Sequence, residues 1–273
     1  MAIIKGAIQM TGSIKGMSFY TNAGSDKVIM RTKGGPSARK VKVGKEFETL
    51  RKHQAEWDGC VKFSRGIRFA LGETYRLADY NVSPVWCGMA KNLMKQDTEH
   101  SVGERSVVLS LYRQVLQNFS LNRNYPFNSV LRITPRFDIS KQTLQATVTI
   151  PQINTEMDLL NIQKLPYFRV MISLGMVSDI VYTTDGQGNT AEYEPALGGY
   201  NGCNISNISD WFSTNDLIDE QTMTVKLDDS LIEQMTADTT VLLSIGMEFG
   251  NVGLAGLITP VKRAGCGKIL DSE

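Results

Sequence analysis

Thr143-Leu-Gln-Ala-Thr-Val-Thr-Ile-Pro151 sets Thr143, Gln145, Thr147 and Thr149 against Leu144, Ala146, Val148 and Ile150 in strict alternation. Successive side chains of a strand point to opposite faces, so a period of two predicts one face on a core and one in water. Strand-like runs recur on both sides of it: SVLRITPRF at 129–137, YFRVMISLGMVSDIVYT at 167–183, QTMTVKL at 221–227, TTVLLSIGMEFG at 239–250 and GKIL at 267–270. No long helical pattern separates them, which favours antiparallel sheets packed face to face over residues 118–273.

Upstream the texture changes. Residues 3–33 read as a β-ribbon of short strands, broken at Thr11-Gly12 and at Asn22–Asp26, where Gly and Asn suit turns. With Gly6, Gly12, Gly16 and Gly24 in it, such a ribbon buries little and must lean on its own domain or on another chain. From about Lys45 to Val61 the chain turns helical. Phe47, Leu50, Gln54, Trp57 and Val61 fall on steps of three and four and are expected to form a buried stripe. Phe63, Ile67, Ala70 and Leu71 carry the pattern onward past Gly59 and Gly66. A second helix is signalled over 81–95, with Ser83 as N-cap and Pro84 in the first helical position. The stretch ERSVVLSLYRQVL at 104–116 is open between helix and strand because of its β-branched pair. The expected fold class is α+β: a β-ribbon and basic arm at 1–44, a helical region at 45–117, and an antiparallel β-sandwich-like domain at 118–273.

With 273 residues, 42% hydrophobic and 21% charged, the chain is a globular protein with material for a large core. No uninterrupted apolar run is long enough to span a membrane, and the N-terminus has no leader pattern, so cytoplasmic synthesis and no membrane partner are expected. Cys60, Cys87, Cys203 and Cys266 are scattered and only His53 and His100 could assist them, which argues for reduced thiols and against zinc.

Charge is distributed unevenly. Up to Arg136, 22 Lys and Arg face 10 Asp and Glu, a net +12; beyond it 7 face 18, a net −11. The densest cluster is RTKGGPSARKVKVGK at 31–45, where Arg31, Lys33, Arg39, Lys40, Lys42 and Lys45 flank a Gly-Gly-Pro turn without an acid between them. That composition predicts an extended arm following an anionic surface, with an acidic protein face or nucleic acid as the partner. Asp228 and Asp229, between TVKL and SLIEQM, are candidates for the acidic side, and their simplest local role is to end a strand and start a short helix.

The motifs of catalysis and cofactor binding fail on spacing. Gly35 to Gly44-Lys45 has eight residues between its glycines where a phosphate loop has four, and Glu46 stands where Ser or Thr would meet magnesium. Gly186, Gly188 and Ala191 have a dinucleotide-like spacing, but no helix follows to receive a pyrophosphate. Glu192 and Glu194 lack an EF-hand frame, and two histidines give few routes to a nucleophile triad. No catalytic, cofactor or metal site is therefore expected.

The segments GSIKGMSFYT with DKVIMRTKGGPS, then FETLRKHQAEW, NYPFNSVLR and ATVTIP, resemble a group of uncharacterised proteins encoded by gut-type anaerobic bacteria. The resemblance implies a glycine-rich N-terminal ribbon, a basic turn, helices and a strand-rich C-terminal part, and it carries no assigned activity. The expectation that follows is a structural or assembly subunit of a homo-oligomeric, phage-like particle, its basic arm docking on an acidic neighbouring β-domain. The two rivals are a nucleic-acid-binding protein using the basic half and a small-ligand or glycan-binding module with a site near Asp185–Tyr200.

Overall fold

A computed structural model of the chain describes residues 2–4, 11–21, 27–32, 34–184, 191–196, 203–253 and 256–273. Its contacts divide into two compact units, Met1–Arg51 and Lys52–Glu273.

In the first unit, strands β1 (Ala2–Ile4), β2 (Gly12–Ile14), β3 (Met17–Thr21) and β4 (Val28–Thr32) form an antiparallel sheet in the order β1-β4-β3-β2. The turn between β2 and β3 puts Lys15 and Gly16 at positive φ. Among the described residues of this sheet only Phe19 and Val28 are buried. Helix α1 (Ala38–Val43) follows, without a buried residue. A 3-10 turn at Lys45–Phe47 leads into helix α2 (Glu48–Ala70).

The second unit begins in α2. A 3-10 segment at Gly72–Leu77 and helix α3 (Ser83–Met94) come next. The strands are β5 (Arg136–Ser140), β6 (Gln145–Ile150), β7 (Ile153–Asn154), β8 (Tyr167–Ser178), β9 (Ile180–Thr184), β10 (Ala191–Pro195), β11 (Asn204–Ile208), β12 (Phe212–Ser213), β13 (Leu217–Ile218), β14 (Gln221–Lys226), β15 (Thr239–Val252) and β16 (Ile258–Ser272). The largest sheet runs β11-β8-β15-β16 with β12 also on β8, and a three-stranded sheet runs β14-β6-β5, all antiparallel.

The two sheets share one core. Ala146, Val148 and Ile150 from β6 and Met223 and Val225 from β14 meet Phe168, Val170, Ile172 and Leu174 from β8 and Val241, Leu243, Ile245 and Met247 from β15. The alternation is a half-buried strand over Gln145–Ile150, with Thr143 and Leu144 in the turn before it; its threonines face outward, Thr147 and Thr149 paired across to Thr224 and Thr222. The opposite face of the large sheet carries the helices. Phe63, Ile67 and Ala70 of α2 and Trp86, Ala90 and Met94 of α3 pack with Val177, Leu242 and Ile269. The observed class is α+β with a sandwich-like domain, and β15 is buried on both sides over its first twelve residues because each face has its own cover.

Glycine sets how closely the layers approach. A Cβ on Gly175 would lie 2.1 Å from the carbonyl oxygen of Ala70, and one on Gly246 would lie 2.3 Å from Leu77 Cδ1. The end of α2 and the turn after it therefore sit directly on sheet backbone. Gly59 is similar, since a Cβ there would fall 2.6 Å from Cδ1 of Tyr193, so this helical glycine admits an aromatic ring and leaves α2 unbroken.

Three local expectations need correction. The stripe Phe47, Leu50, Trp57 and Val61 is not the buried one: Trp57 is 50% exposed, and Leu50 and Val61 are exposed as well. The buried face is Glu56, Gly59, Cys60, Phe63, Gly66, Ile67 and Ala70, a second period of the same helix made of smaller residues that allow close packing. The run at 129–137 forms a strand only from Arg136; Phe127–Val130 is a short helical turn entered from Pro126, and Pro135 lacks the N–H that an earlier ladder needs. At 104–116 the chain makes an isolated bridge from Val107 to Ile180 and a 3-10 turn at Arg113–Leu116. In α3, Val82 is the N-cap and Ser83 the first helical residue, so the helix starts one residue earlier than expected and Pro84 is its second residue. Of the loop at Asp185–Tyr200, the described residues are 191–196, and Gly186 and Gly188 lie outside them.

Candidate interaction surfaces

The basic cluster is partly helical, which corrects the expectation of an extended arm. Pro36 and Ser37 start α1: the Ser37 hydroxyl accepts from the Lys40 N–H at 3.2 Å, and Arg, Lys and Val fill one and a half turns. At the other end Arg51 donates from Nη1 to the carbonyls of Val41 and Gly44, both at 2.8 Å, satisfying acceptors a helix end leaves open. Lys40 and Lys42 in the last turn complement the negative end of the helix dipole.

The predicted cations are displayed outward. Arg39, Lys40, Lys42 and Lys45 are exposed, as is Arg31, whose guanidinium lies 5.6 Å from the centroid of the Tyr20 ring. Lys40 meets Glu46 at 3.4 Å, both largely solvated, a contact worth well under about 1 kcal/mol. Lys33 lies outside the described residues. In the second unit Asp228 and Asp229 are exposed and locally engaged. Asp228 caps the 3-10 segment Asp229–Gln234 by accepting from the Ser230 N–H at 2.8 Å, which holds its carboxyl below the usual range, and Asp229 pairs with Lys226 at 2.7 Å.

Three buried carboxylates, Glu56, Asp179 and Glu248, were not singled out by sequence, and two of them, Glu56 and Glu248, are held by cations. Glu56 on α2 is fully buried and accepts from Arg105 Nε at 2.7 Å, Arg105 Nη2 at 3.0 Å, the Gly103 N–H at 3.0 Å and Lys91 Nζ. Burial alone would raise its pKa, but the hydrogen bonds from Arg105, Lys91 and Gly103 outweigh it and bring the carboxyl down to about 2. Glu248 on β15 is 2% exposed and binds two guanidinium groups, Arg76 through both terminal nitrogens at 2.5 and 2.6 Å and Arg169 through Nε at 2.6 Å. The Arg76 and Arg169 bonds hold Glu248 low against the opposing effect of burial. Arg169 in turn lies 4.4 Å over the Trp211 ring. The signal for Glu56 was present: it stands three, four and seven residues before Gly59, Cys60 and Phe63, on the small-residue face. For Glu248 the signal was a charge inside an otherwise apolar strand.

Trp57 and Val61 line a shallow apolar surface with Arg65, Arg68 and Pro84. Burial raises the thiols of Cys60, to about 12, and of Cys87 and Cys203, keeping them protonated. Among the described residues no three His, Cys, Asp or Glu side chains gather as a metal site, and no helix is long and apolar enough to cross a membrane. Compared with known protein families, curated proteins and solved structures, the chain matches none.

Proposed function

We propose that the protein is a non-enzymatic assembly subunit of a homo-oligomeric, phage-like particle, in which the N-terminal unit of one copy docks on the second unit of another. The observation that carries this reading is the opposite charge of the two compact units. Met1–Arg51 holds 10 Lys and Arg against 3 Asp and Glu, a net +7, and Lys52–Glu273 holds 19 against 25, a net −6. A sheet of four strands with two buried side chains among its described residues has little core of its own, as expected of an element completed by a partner. Head-to-tail contacts of this kind close into rings or extend into filaments.

The test is a triple reversal of Arg39, Lys40 and Lys42 to Glu, followed by mass photometry and negative-stain microscopy at low and moderate salt. Ordered multimers of the native chain free of nucleic acid, lost in the variant, support the reading. A native chain that stays monomeric without nucleic acid, with binding to it lost in the variant, assigns the same cations to nucleic acid instead.

A further inference from the structure

The pairing of β15 with β16 breaks its register beside Glu248. Glu248 is opposite Gly265 and Gly250 is opposite Pro260, so a single residue of β15, Phe249, faces four of β16, Val261 to Ala264. A bulge of this size carries Lys262 and Arg263 off the sheet, and Arg263 adopts φ 60°, a left-handed conformation that L side chains seldom take. The bulge forms one wall of a cleft of about 350 Å³ whose other lining includes Arg76, Ala78 and Glu248.

We propose that this cleft binds an oxyanion, a phosphate or carboxylate group, between Arg76 and the bulge cations Lys262 and Arg263. Three observations converge. The first is charge: the buried Glu248 and the exposed Glu73 are both bonded to Arg76, whereas Lys262 and Arg263 are exposed and have no hydrogen-bond or ion-pair partner among the described residues. Among the residues lining the cleft, the three cations Arg76, Lys262 and Arg263 stand against the one carboxylate of Glu248, a surplus of two positive charges. The second is preorganisation, since Glu248 grips both terminal nitrogens of Arg76 while Glu73 holds its Nε, which fixes the plane of the guanidinium beside the bulge. The third is the bulge itself, since backbone strain and lost strand pairing are concentrated where these cations project.

The experiment uses the full chain, with inorganic phosphate, pyrophosphate and citrate as probes in calorimetric titration at low chloride. The native protein is expected to bind at least one probe with one site per chain. The order of phosphate probes against citrate then tells which oxyanion the site prefers. Arg263→Gly with Lys262→Ser removes both cations and places glycine at the left-handed position, so folding is retained while binding weakens by about tenfold or more. Thermal unfolding of the variant checks that it is folded. Failure of the native chain to bind any probe at millimolar concentration overturns the proposal, as does a folded variant that binds as tightly as the native protein.

Discussion

Glu56 is the residue on which the helical layer is most exposed to damage. Its carboxylate is fully buried and accepts from Arg105, Lys91 and the Gly103 N–H, so Glu56→Ala leaves Arg105 and Lys91 without their acceptor and should cost roughly 3–5 kcal/mol in denaturant unfolding. The sign of the pH dependence follows from the lowered pKa. A carboxyl at about 2 in the fold and about 4.5 when unfolded stabilises the protein fully above 4.5, and this contribution is lost as pH falls toward 2. Denaturant midpoints of the native chain and Glu56→Gln should converge over that window; a constant difference across it would assign the loss to packing. Gly175 makes a second case. Its missing Cβ would press on the backbone oxygen of Ala70, which has no rotamer to move, so Gly175→Ala should destabilise by about 1–3 kcal/mol or more in the same assay.

The elements differ in how far they could be read from sequence. The strand at 145–150 was legible because one of its faces meets water, and alternation survives only in that situation. β15 was legible as a run but not as a face, being covered by the second sheet on one side and helices on the other. Helix α2 offered two apolar periods. Size pointed to the one with Trp57, while the helix buries the one with glycines, cysteine and a paired glutamate, because close approach to the sheet demands small side chains there. The arm was misread for a local reason: a Gly-Gly-Pro turn says nothing of the residues after it, and Ser37 opens a helix at once. Trp57→Ala is accordingly expected to change stability by less than about 1 kcal/mol, since half of the side chain already faces solvent. If the apolar surface around Trp57 and Val61 is covered in the assembly, the same substitution should lower the fraction of multimers seen by mass photometry.

Charge polarity was the feature of the whole chain most visible in sequence, though its sign change near Arg136 is not where the structure divides. The helical stretch after Arg51 shares its core with the large sheet, and its cations are partly neutralised within that unit, as Arg105 and Lys91 on Glu56 and Arg76 on Glu248 illustrate. Met1–Arg51, taken by itself, carries a net +7. Both large hydrophobic clusters lie wholly within Lys52–Glu273, so that unit has the core required to fold by itself. Removing residues 1–47, which ends the deletion just before α2, should therefore leave a cooperative thermal transition close to that of the full chain. The truncated protein should also be monomeric under conditions where the full chain assembles, and adding salt should carry the full chain toward the same state, because contacts between exposed charges weaken as the screening length shortens. A truncated chain that melts without cooperativity would show that the N-terminal unit completes a core within its own copy, and would remove the basis for exchange between copies.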